Sequence, residues 1–298
     1  MGPCIPGQVT GRSGDQFTVR LLTGAPVVAA LSDSMVSRGI LVEPGQWVAV
    51  LGDRIIYRWK DLQVMANIDW PALIREIPSG LLASRGCHDA QAEHYEEEVR
   101  AGLNDYIREN YFAILDRVIE LAEIGEDMTV LDIGIGTGLL SERVPGGANL
   151  HGIDISPKML EKVREKGLPV KLVEGSFLAI PYPDQTFDRI ISTFAFHHLT
   201  PMEKVLGFKE MDRVLKPKGR IVIGDLMVEN ARQMDELRQR FVREGRTDLL
   251  EELEDEYFTD LELATQTLAS LGYETAWERG SVLSLILSAK STDGFPAK

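Results

Sequence analysis

The chain has 298 residues, of which 44% are hydrophobic and 26% are charged, as in a folded globular protein. Its formal net charge of −14 argues against binding to DNA or to an anionic membrane surface, because both partners attract clustered lysine and arginine. Its two cysteines, Cys4 and Cys87, are too few for a disulfide framework. With no signal-peptide pattern and no apolar run long enough to cross a bilayer, we expect a cytoplasmic protein.

The first sixty residues contain short β-rich runs separated by turn residues: GQVTGR, FTVRLL, PVVAAL, ILVE, WVAVLG and RIIYRW. Five short strands in about fifty residues favour a closed barrel, which removes exposed sheet edges without helices. We therefore predict an all-β, OB-like barrel over residues 1–61. Proline and glycine break both periodicities over residues 62–86, which we interpret as a linker to a second domain at residues 87–298.

The order of these runs resembles bacterial translation initiation factor 1 and related OB domains. The resemblance implies RNA binding through basic and aromatic side chains on the barrel face, here Arg20, Arg54, Arg58, Trp47, Tyr57 and Trp59. Residues 1–70, however, contain six basic and six acidic side chains, so the electrostatic attraction to RNA is weak. We expect a docking or gating module, with RNA binding as the less favoured alternative.

The second domain begins with helix formers from His88 to Ile124, where apolar residues recur at spacings of three and four and predict one helix packed on a sheet. Strands are predicted at 129–133, 150–153, 170–173, 189–193 and 220–223, with helices starting at Leu139, Pro157 and Pro201. This alternation indicates an α/β fold with a parallel sheet covered by helices on both faces. Ligands of such sheets bind at the carboxyl ends of the strands.

A glycine-rich segment, LDIGIGTG at residues 131–138, follows the first of these strands. Glycine permits tight turns and a close approach of backbone to ligand. The GxGxG spacing of Gly134, Gly136 and Gly138 is neither the dinucleotide spacing nor a phosphate loop, because no Gly-Lys pair follows. The segment therefore favours a nucleoside over a pyrophosphate, with a purely structural turn as the alternative.

Asp154 ends the next strand, where an acidic side chain accepts hydrogen bonds from ribose hydroxyls. The alternative role is a cap for the helix that starts at Pro157, which Ser156 performs better. Asp154 therefore supports the nucleoside interpretation.

The segments LDIGIGTG, GIDIS, EGSFLAIPYPDQTFDRIISTFAFHHL and LKPKGRIVIGD resemble successive motifs of class I S-adenosylmethionine-dependent methyltransferases over residues 87–290. STFAFHHLTPMEK and DEYFTDLELATQTLASLGYE are similar to small bacterial enzymes of the YrrT type. The resemblance implies S-adenosylmethionine as cofactor and a Rossmann-like, seven-stranded sheet, mostly parallel with an antiparallel C-terminal strand. It does not imply the methyl acceptor.

Residue by residue, the resemblance assigns the three glycines to the methionine moiety and Asp154 to the ribose, and it places Asp132 and Ile155 among the cofactor-binding residues. The end of the third strand faces adenine, and here Ser176-Phe177 stands where relatives often carry an acid. We expect the Ser176 hydroxyl or the Phe177 backbone to replace that carboxylate, and the Phe177 ring to pack on adenine. Thr193, at the end of the fourth strand, is expected beneath the methyl donor.

His197 and Tyr95 are candidate catalytic residues. A histidine near a transferring methyl group is suited to accept a proton, but the pair His197–His198 is also compatible with a structural loop, since methyl transfer often needs only proximity and orientation. Tyr95 lies in a segment that related enzymes fold over the cofactor, or is an ordinary helix aromatic. His88 and His94 form no recognisable metal-binding pattern, and we predict no metal.

The charged helical run between Glu229 and Tyr257 is interrupted by Gly245, and the resemblance implies that it roofs the substrate site. After it, residues 273–278 and 282–289 are β-rich and flank Arg279-Gly280, which predicts an antiparallel hairpin at the sheet edge.

Three functions remain open from the sequence. The first is methyl transfer to a small-molecule acceptor, and the second is methylation of ribosomal or transfer RNA recruited through the barrel. The third is a non-enzymatic regulatory protein that retains the nucleoside pocket. The departure at Ser176 alone favours the third.

Overall fold

A computed structural model describes residues 5–13, 16–21, 26–31, 47–51, 54–59, 88–89, 91–102 and 106–292. The chain divides into two compact units, residues 1–73 and residues 74–298. Within the described ranges, no helix is both long enough and apolar enough to span a bilayer.

The first unit contains five strands that close into a barrel in the order β1-β2-β3-β5-β4. The strands are β1 (Ile5–Ser13), β2 (Gln16–Leu21), β3 (Pro26–Leu31), β4 (Trp47–Leu51) and β5 (Arg54–Trp59). Phe17, Val19 and Ala29 are buried. The OB-like assignment and the boundary at residue 61 stay predictions. The linker at residues 62–86 and the side chains of the predicted RNA-binding face lie outside the described residues.

The second unit contains a sheet with the strand order β12-β13-β10-β9-β6-β7-β8. The pairs from β10 to β8 are parallel, whereas β13 is antiparallel to both of its neighbours. This confirms the predicted, mostly parallel sheet. The strands are β6 (Thr129–Ile133), β7 (Asn149–Asp154), β8 (Val170–Glu174), β9 (Phe187–Thr193), β10 (Leu215–Val228), β11 (Thr259–Asp260), which pairs with β10 outside this path, β12 (Tyr273–Arg279) and β13 (Ser284–Ser291).

Two of the helices predicted for this unit differ from the structure. The described helices are α1 (Tyr95–Ala101), α2 (Tyr111–Ala122), α3 (Pro157–Glu165), α4 (Pro201–Val214), α5 (Ala231–Glu244), α6 (Thr247–Asp255) and α7 (Leu261–Ser270). The single helix predicted over residues 88–124 is wrong, because α1 ends at Ala101 and α2 starts only after Asn110, which has a positive φ of 60°.

The helix predicted to start at Leu139 is also wrong. Only a 3-10 turn, Ser141–Arg143, is present, because Pro145 and the pair Gly146-Gly147 follow it at once. The glycine-rich segment therefore leads into a short turn rather than a long helix.

One part of the core of this unit lies between α2 and the sheet. Ile114, Leu115 and Val118 of α2 are almost completely buried. A Cβ atom on Gly224 of β10 would lie 2.8 Å from the Ile114 side chain and 2.9 Å from the Val118 side chain. The absence of a side chain at Gly224 therefore allows α2 to pack directly on β10, beside the strand ends that form the site.

A capping box stabilises the start of α4. The Thr200 hydroxyl accepts a hydrogen bond from the Glu203 N–H, and the Glu203 carboxylate accepts one from the Thr200 N–H. Thr200→Ala removes half of this capping box, so we expect the free energy of unfolding to fall by about 1 kcal/mol. Urea denaturation followed by circular dichroism measures this, and an unchanged midpoint would show that the cap does not stabilise α4.

Candidate active site

A cavity of about 650 Å³ opens at the carboxyl ends of β6, β7, β8 and β9. All predicted site residues except Gly138 line it: Tyr95, Asp132, Gly134, Gly136, Asp154, Ile155, Ser176, Phe177, Thr193 and His197. The sheet thus gathers residues from distant parts of the sequence at one edge, as expected for a parallel α/β fold.

The three glycines of the LDIGIGTG segment have positive φ angles but different surroundings. A Cβ atom on Gly134 would lie 2.4 Å from the Ala195 Cβ, so this glycine allows the loop to pass close to the chain after β9. A Cβ atom on Gly136 would meet no described atom within 4 Å, because this residue faces the open cavity. A Cβ atom on Gly138 would lie 2.9 Å from the Leu168 side chain, so Gly138 serves packing rather than the cavity.

Asp154 connects the glycine loop to the start of α3. One carboxylate oxygen accepts a hydrogen bond from the Gly136 N–H at 2.9 Å, and the other accepts one from the Ser156 N–H at 2.8 Å. A carboxylate offers about four lone pairs, so about two remain for a ligand. Ser156 itself caps α3 by accepting from the Met159 N–H, as the sequence indicated.

Asp132 is the second buried carboxyl group of the cavity wall. It accepts a hydrogen bond from the Ser141 hydroxyl at 2.7 Å and is 1% exposed. Burial, helped by the charge of Asp154, raises the pKa of Asp132 to about 7. A cationic ligand beside Asp132 stabilises the ionised form of this carboxyl group, because the nearby positive charge compensates for its lost hydration.

Ser176 and Phe177 follow β8 on the same wall. The Ser176 hydroxyl oxygen accepts a hydrogen bond from the Leu178 N–H at 3.2 Å, so it stabilises its own turn while its proton stays available to a ligand. The Phe177 ring is 3% exposed and meets the Phe196 ring edge-on, with centroids 5.1 Å apart. Its role against adenine stays a prediction.

Aromatic side chains form another part of the wall. Phe194, which follows Thr193 with a positive φ of 49°, stacks on Tyr111 with ring centroids 4.5 Å apart. The Tyr111 and Tyr95 hydroxyls are 3.3 Å apart, and the Arg108 guanidinium lies 5.8 Å from the Tyr95 ring centre. Burial raises the pKa of Tyr95, so its hydroxyl is a neutral hydrogen-bonding group.

Asp225, a residue that the sequence analysis did not select, holds His197 in place. It is fully buried, and its Oδ2 accepts hydrogen bonds from the N–H groups of Ala195, Phe196 and His197 at 3.1, 2.6 and 3.2 Å. Its Oδ1 lies 2.5 Å from Nδ1 of His197. Asp225 is the last residue of the LKPKGRIVIGD motif, but nothing in the sequence indicates that it contacts His197.

Three further side chains surround His197. Nε2 of His197 lies 3.9 Å from the Glu256 carboxylate, and Nδ1 of His198 lies 3.4 Å from the same carboxylate oxygen. The His88 and His198 rings have centroids 4.7 Å apart. His88, His197, His198 and Glu256 all line the cavity. The sequence analysis did not select Glu256 either, because this residue is distant from the histidines in the sequence and lies in the segment that is expected to roof the substrate site.

The segment after α6 is attached to the histidine turn by backbone contacts. The Tyr257 N–H donates to the His197 carbonyl at 3.2 Å, and Nζ of Lys204 donates to the carbonyls of Leu199 and Tyr257. Burial lowers the pKa of Lys204 to about 7. These contacts place Glu256 beside the histidines.

Known proteins share this arrangement of sequence and fold. The family described as "Methyltransferase domain" matches residues 130–219. An uncharacterized methyltransferase of Geobacillus thermodenitrificans is 30% identical over 200 residues, covering 66% of this chain and 92% of the relative. One from Staphylococcus carnosus is 34% identical over 183 residues, covering 61% of this chain and 86% of the relative.

Two solved structures show the same fold at low identity. DhpI, in a complex with SAM and HEP, has a TM-score of 0.53 and 18% identity, covering 72% of this chain and 99% of DhpI. A Haloferax volcanii complex of the Trm112 activator and a methyltransferase gives a TM-score of 0.51 and 15% identity, covering 68% of this chain and 97% of the matched chain.

These likenesses identify the class of the protein. The chain belongs to the methyltransferase family, since relatives of at least 30% identity are matched along almost their whole length. It is an S-adenosylmethionine-dependent methyltransferase, and S-adenosylmethionine is its methyl donor. The alternative of a non-enzymatic protein is therefore set aside.

The raised pKa of Asp132 predicts a pH-dependent cost of folding. In the unfolded chain this carboxyl group ionises near about pH 4, whereas the folded protein keeps it protonated up to about pH 7. The unfolded state therefore binds fewer protons between these values, and the free energy of unfolding falls as the pH rises through them. Asp132→Asn removes this cost.

We expect the stability of Asp132→Asn, relative to the native protein, to increase by a few kcal/mol between about pH 4 and about pH 8. Urea denaturation without ligand across this range measures the difference. Asp235→Asn, on an exposed part of α5, is the control for general charge effects. A difference that does not change with pH would contradict an Asp132 that is protonated in the fold.

Proposed function

We propose that the cavity binds S-adenosylmethionine along the glycine loop and transfers its methyl group to a small-molecule acceptor bound beside His197, and that the chain is an enzyme of the YrrT type. The observation that carries this proposal is the pairing of Gly136 and Asp154. An open glycine and a buried carboxylate with unused lone pairs are joined by one hydrogen bond at the edge of the sheet.

The donor end fits the nucleoside. Asp154 has acceptor capacity for both ribose hydroxyls, and the missing side chain at Gly136 leaves room for the ligand. Ile155 follows Asp154 on the wall, and the free proton of Ser176 suits an adenine ring nitrogen. The Phe177 ring supplies an apolar surface next to it.

The methionine end fits a cation. Asp132 is buried with its pKa raised, so an ammonium group nearby lowers the free energy of its ionised form. Thr193 and the stacked rings of Phe194 and Tyr111 line the same cavity. S-adenosylmethionine supplies a methyl group on a positively charged sulfur, so the acceptor needs mainly alignment and an available lone pair.

The acceptor end is defined by His197, and Tyr95 lines the same cavity. Because Nδ1 of His197 is held by Asp225, its Nε2 is the ring nitrogen left to act at the acceptor end. The cavity volume lies within the range of about 300–1,000 Å³ that is common for small-molecule sites. The net charge of −14 disfavours RNA as the acceptor.

Substitution of Gly136 tests the donor end. Gly136→Ala places a methyl group in the open cavity, so we expect the Kd for S-adenosylhomocysteine, measured by calorimetry, to rise at least about tenfold. Gly167→Ala is a matched control, because Gly167 also has a positive φ, 66° against 53°, and also meets no described atom within 4 Å. It follows α3 and does not line the cavity. Equal loss of binding in both variants would point to backbone strain instead of a ligand contact.

Substitution of His197 tests the acceptor end. We expect His197→Gln to lower the rate of methyl transfer at least about tenfold, with the Kd for S-adenosylhomocysteine changed less than about twofold. An acceptor found by screening small molecules for transfer of a labelled methyl group provides the assay. His94→Gln, on an exposed side chain, is the control. A native rate in His197→Gln would exclude contact between this residue and the acceptor.

A further inference from the structure

We propose that His197, His198 and Glu256 bind a divalent transition-metal ion at the acceptor end of the cavity. The role given to the ion below rests on the proposed function, whereas the binding site itself rests on the geometry of these three side chains. The sequence predicted no metal, because Glu256 is distant from the histidines along the chain.

The three side chains already converge. One ligand atom from each, two imidazole nitrogens and one carboxylate oxygen, lie within 4.8 Å of one another. Zinc–nitrogen bonds of about 2.0–2.1 Å in a tetrahedral site place two ligand atoms about 3.3 Å apart. The His198–Glu256 separation of 3.4 Å is close to this value, and the His197–Glu256 separation of 3.9 Å needs only a small closure.

Asp225 gives His197 the hydrogen bond that metal-binding histidines usually have. A ligand histidine commonly donates its second ring N–H to a carboxylate, which fixes the tautomer and orients the ring. Here the buried Asp225 lies 2.5 Å from Nδ1 of His197 and leaves Nε2 free to face Glu256. The ring is fixed further because Asp225 also holds the backbone of the same turn.

The charges around Glu256 favour a cation. Among the described residues, the ion pairs of Glu256 are those with His197 and His198, and no lysine or arginine there forms a direct ion pair with it. Lys204, which is buried nearby, directs Nζ to the carbonyls of Leu199 and Tyr257 instead. A divalent ion therefore gains the charge of Glu256 without displacing a resident cation.

The ligand set of two imidazole nitrogens and one carboxylate oxygen determines which metal ions are favoured. Imidazole with a carboxylate suits zinc and neighbouring first-row metals, whereas magnesium prefers an all-oxygen shell. Three protein ligands leave a position open toward the cavity, as in catalytic rather than structural sites. The His88 ring, whose centroid lies 4.7 Å from that of His198, also lines the cavity.

The open position indicates the class of acceptor. A hydroxyl or thiol that binds there loses its proton to solvent more easily, because the ion stabilises the anion. Its lone pair then forms a bond to the methyl carbon while the carbon–sulfur bond of the donor breaks. The electron pair of that bond stays on sulfur, which becomes a neutral thioether. We therefore infer an acceptor with a hydroxyl or thiol group.

Metal titration of the full chain, after removal of any tag and treatment with a chelator, tests the proposal. We expect calorimetry to show one zinc ion per chain, cobalt to give visible absorption at the same stoichiometry, and magnesium not to bind. His198→Ala and Glu256→Gln are expected to weaken zinc binding at least about tenfold, and Asp225→Asn about 10–100-fold.

Two controls separate this site from other zinc ligands. His94→Ala removes a surface histidine that also pairs with a glutamate, Glu97 at 3.7 Å, and should leave binding unchanged. Cys4→Ser/Cys87→Ser removes both thiols of the chain and should do the same. The proposal is overturned if zinc does not bind, or if His198→Ala and Glu256→Gln bind it as the native protein does.

S-adenosylhomocysteine binding, measured on the same samples, distinguishes the two proposals. Failure of the nucleoside to bind to the native protein while zinc binds counts against the proposed function alone. Binding of the nucleoside without binding of zinc counts against the metal site alone.

Discussion

The acceptor end of the cavity depends on one buried carboxylate. Asp225 extends from the middle of the sheet, in β10, and satisfies three consecutive N–H groups that follow β9 as well as a ring nitrogen of His197. Buried N–H groups need partners, since an unpaired one costs about 1–3 kcal/mol. One side chain thus stabilises the turn and orients the His197 ring, so a change at Asp225 affects the backbone of the turn and the position of the ring together.

At the donor end of the cavity, a second buried carboxylate, Asp154, also holds separate segments of the chain together. Asp154 accepts from Gly136 on the glycine loop and from Ser156 at the start of α3, so the loop and helix keep their positions relative to β7. Both carboxylates are buried beside strand ends, where backbone N–H groups stabilise them. The parallel sheet brings the two ends together because neighbouring strands finish at the same edge.

Much of this could be predicted from the sequence, because the decisive signals are local. Strand periodicity, the GxGxG spacing and the cap at Ser156 each act over a few residues, and the strands and the start of α3 are confirmed. The helix predicted from Leu139 is absent, because the stretch between Leu139 and Pro145 is too short for an α-helix and forms only a 3-10 turn. Asp225 and Glu256 could not be selected, since their importance comes from contacts between segments that are distant in the chain.

The position of β13 bears on how the chain reaches this structure during synthesis. This strand lies between β10 and β12, so the last long strand of the sheet is an interior one. Until residue 291 has left the ribosome, the edge of β10 stays unpaired and exposes hydrogen-bonding groups that attract other strands. A nascent chain of this kind is most prone to aggregation after β10 has emerged and before β13 has, and slow codons between these two strands would prolong the exposure.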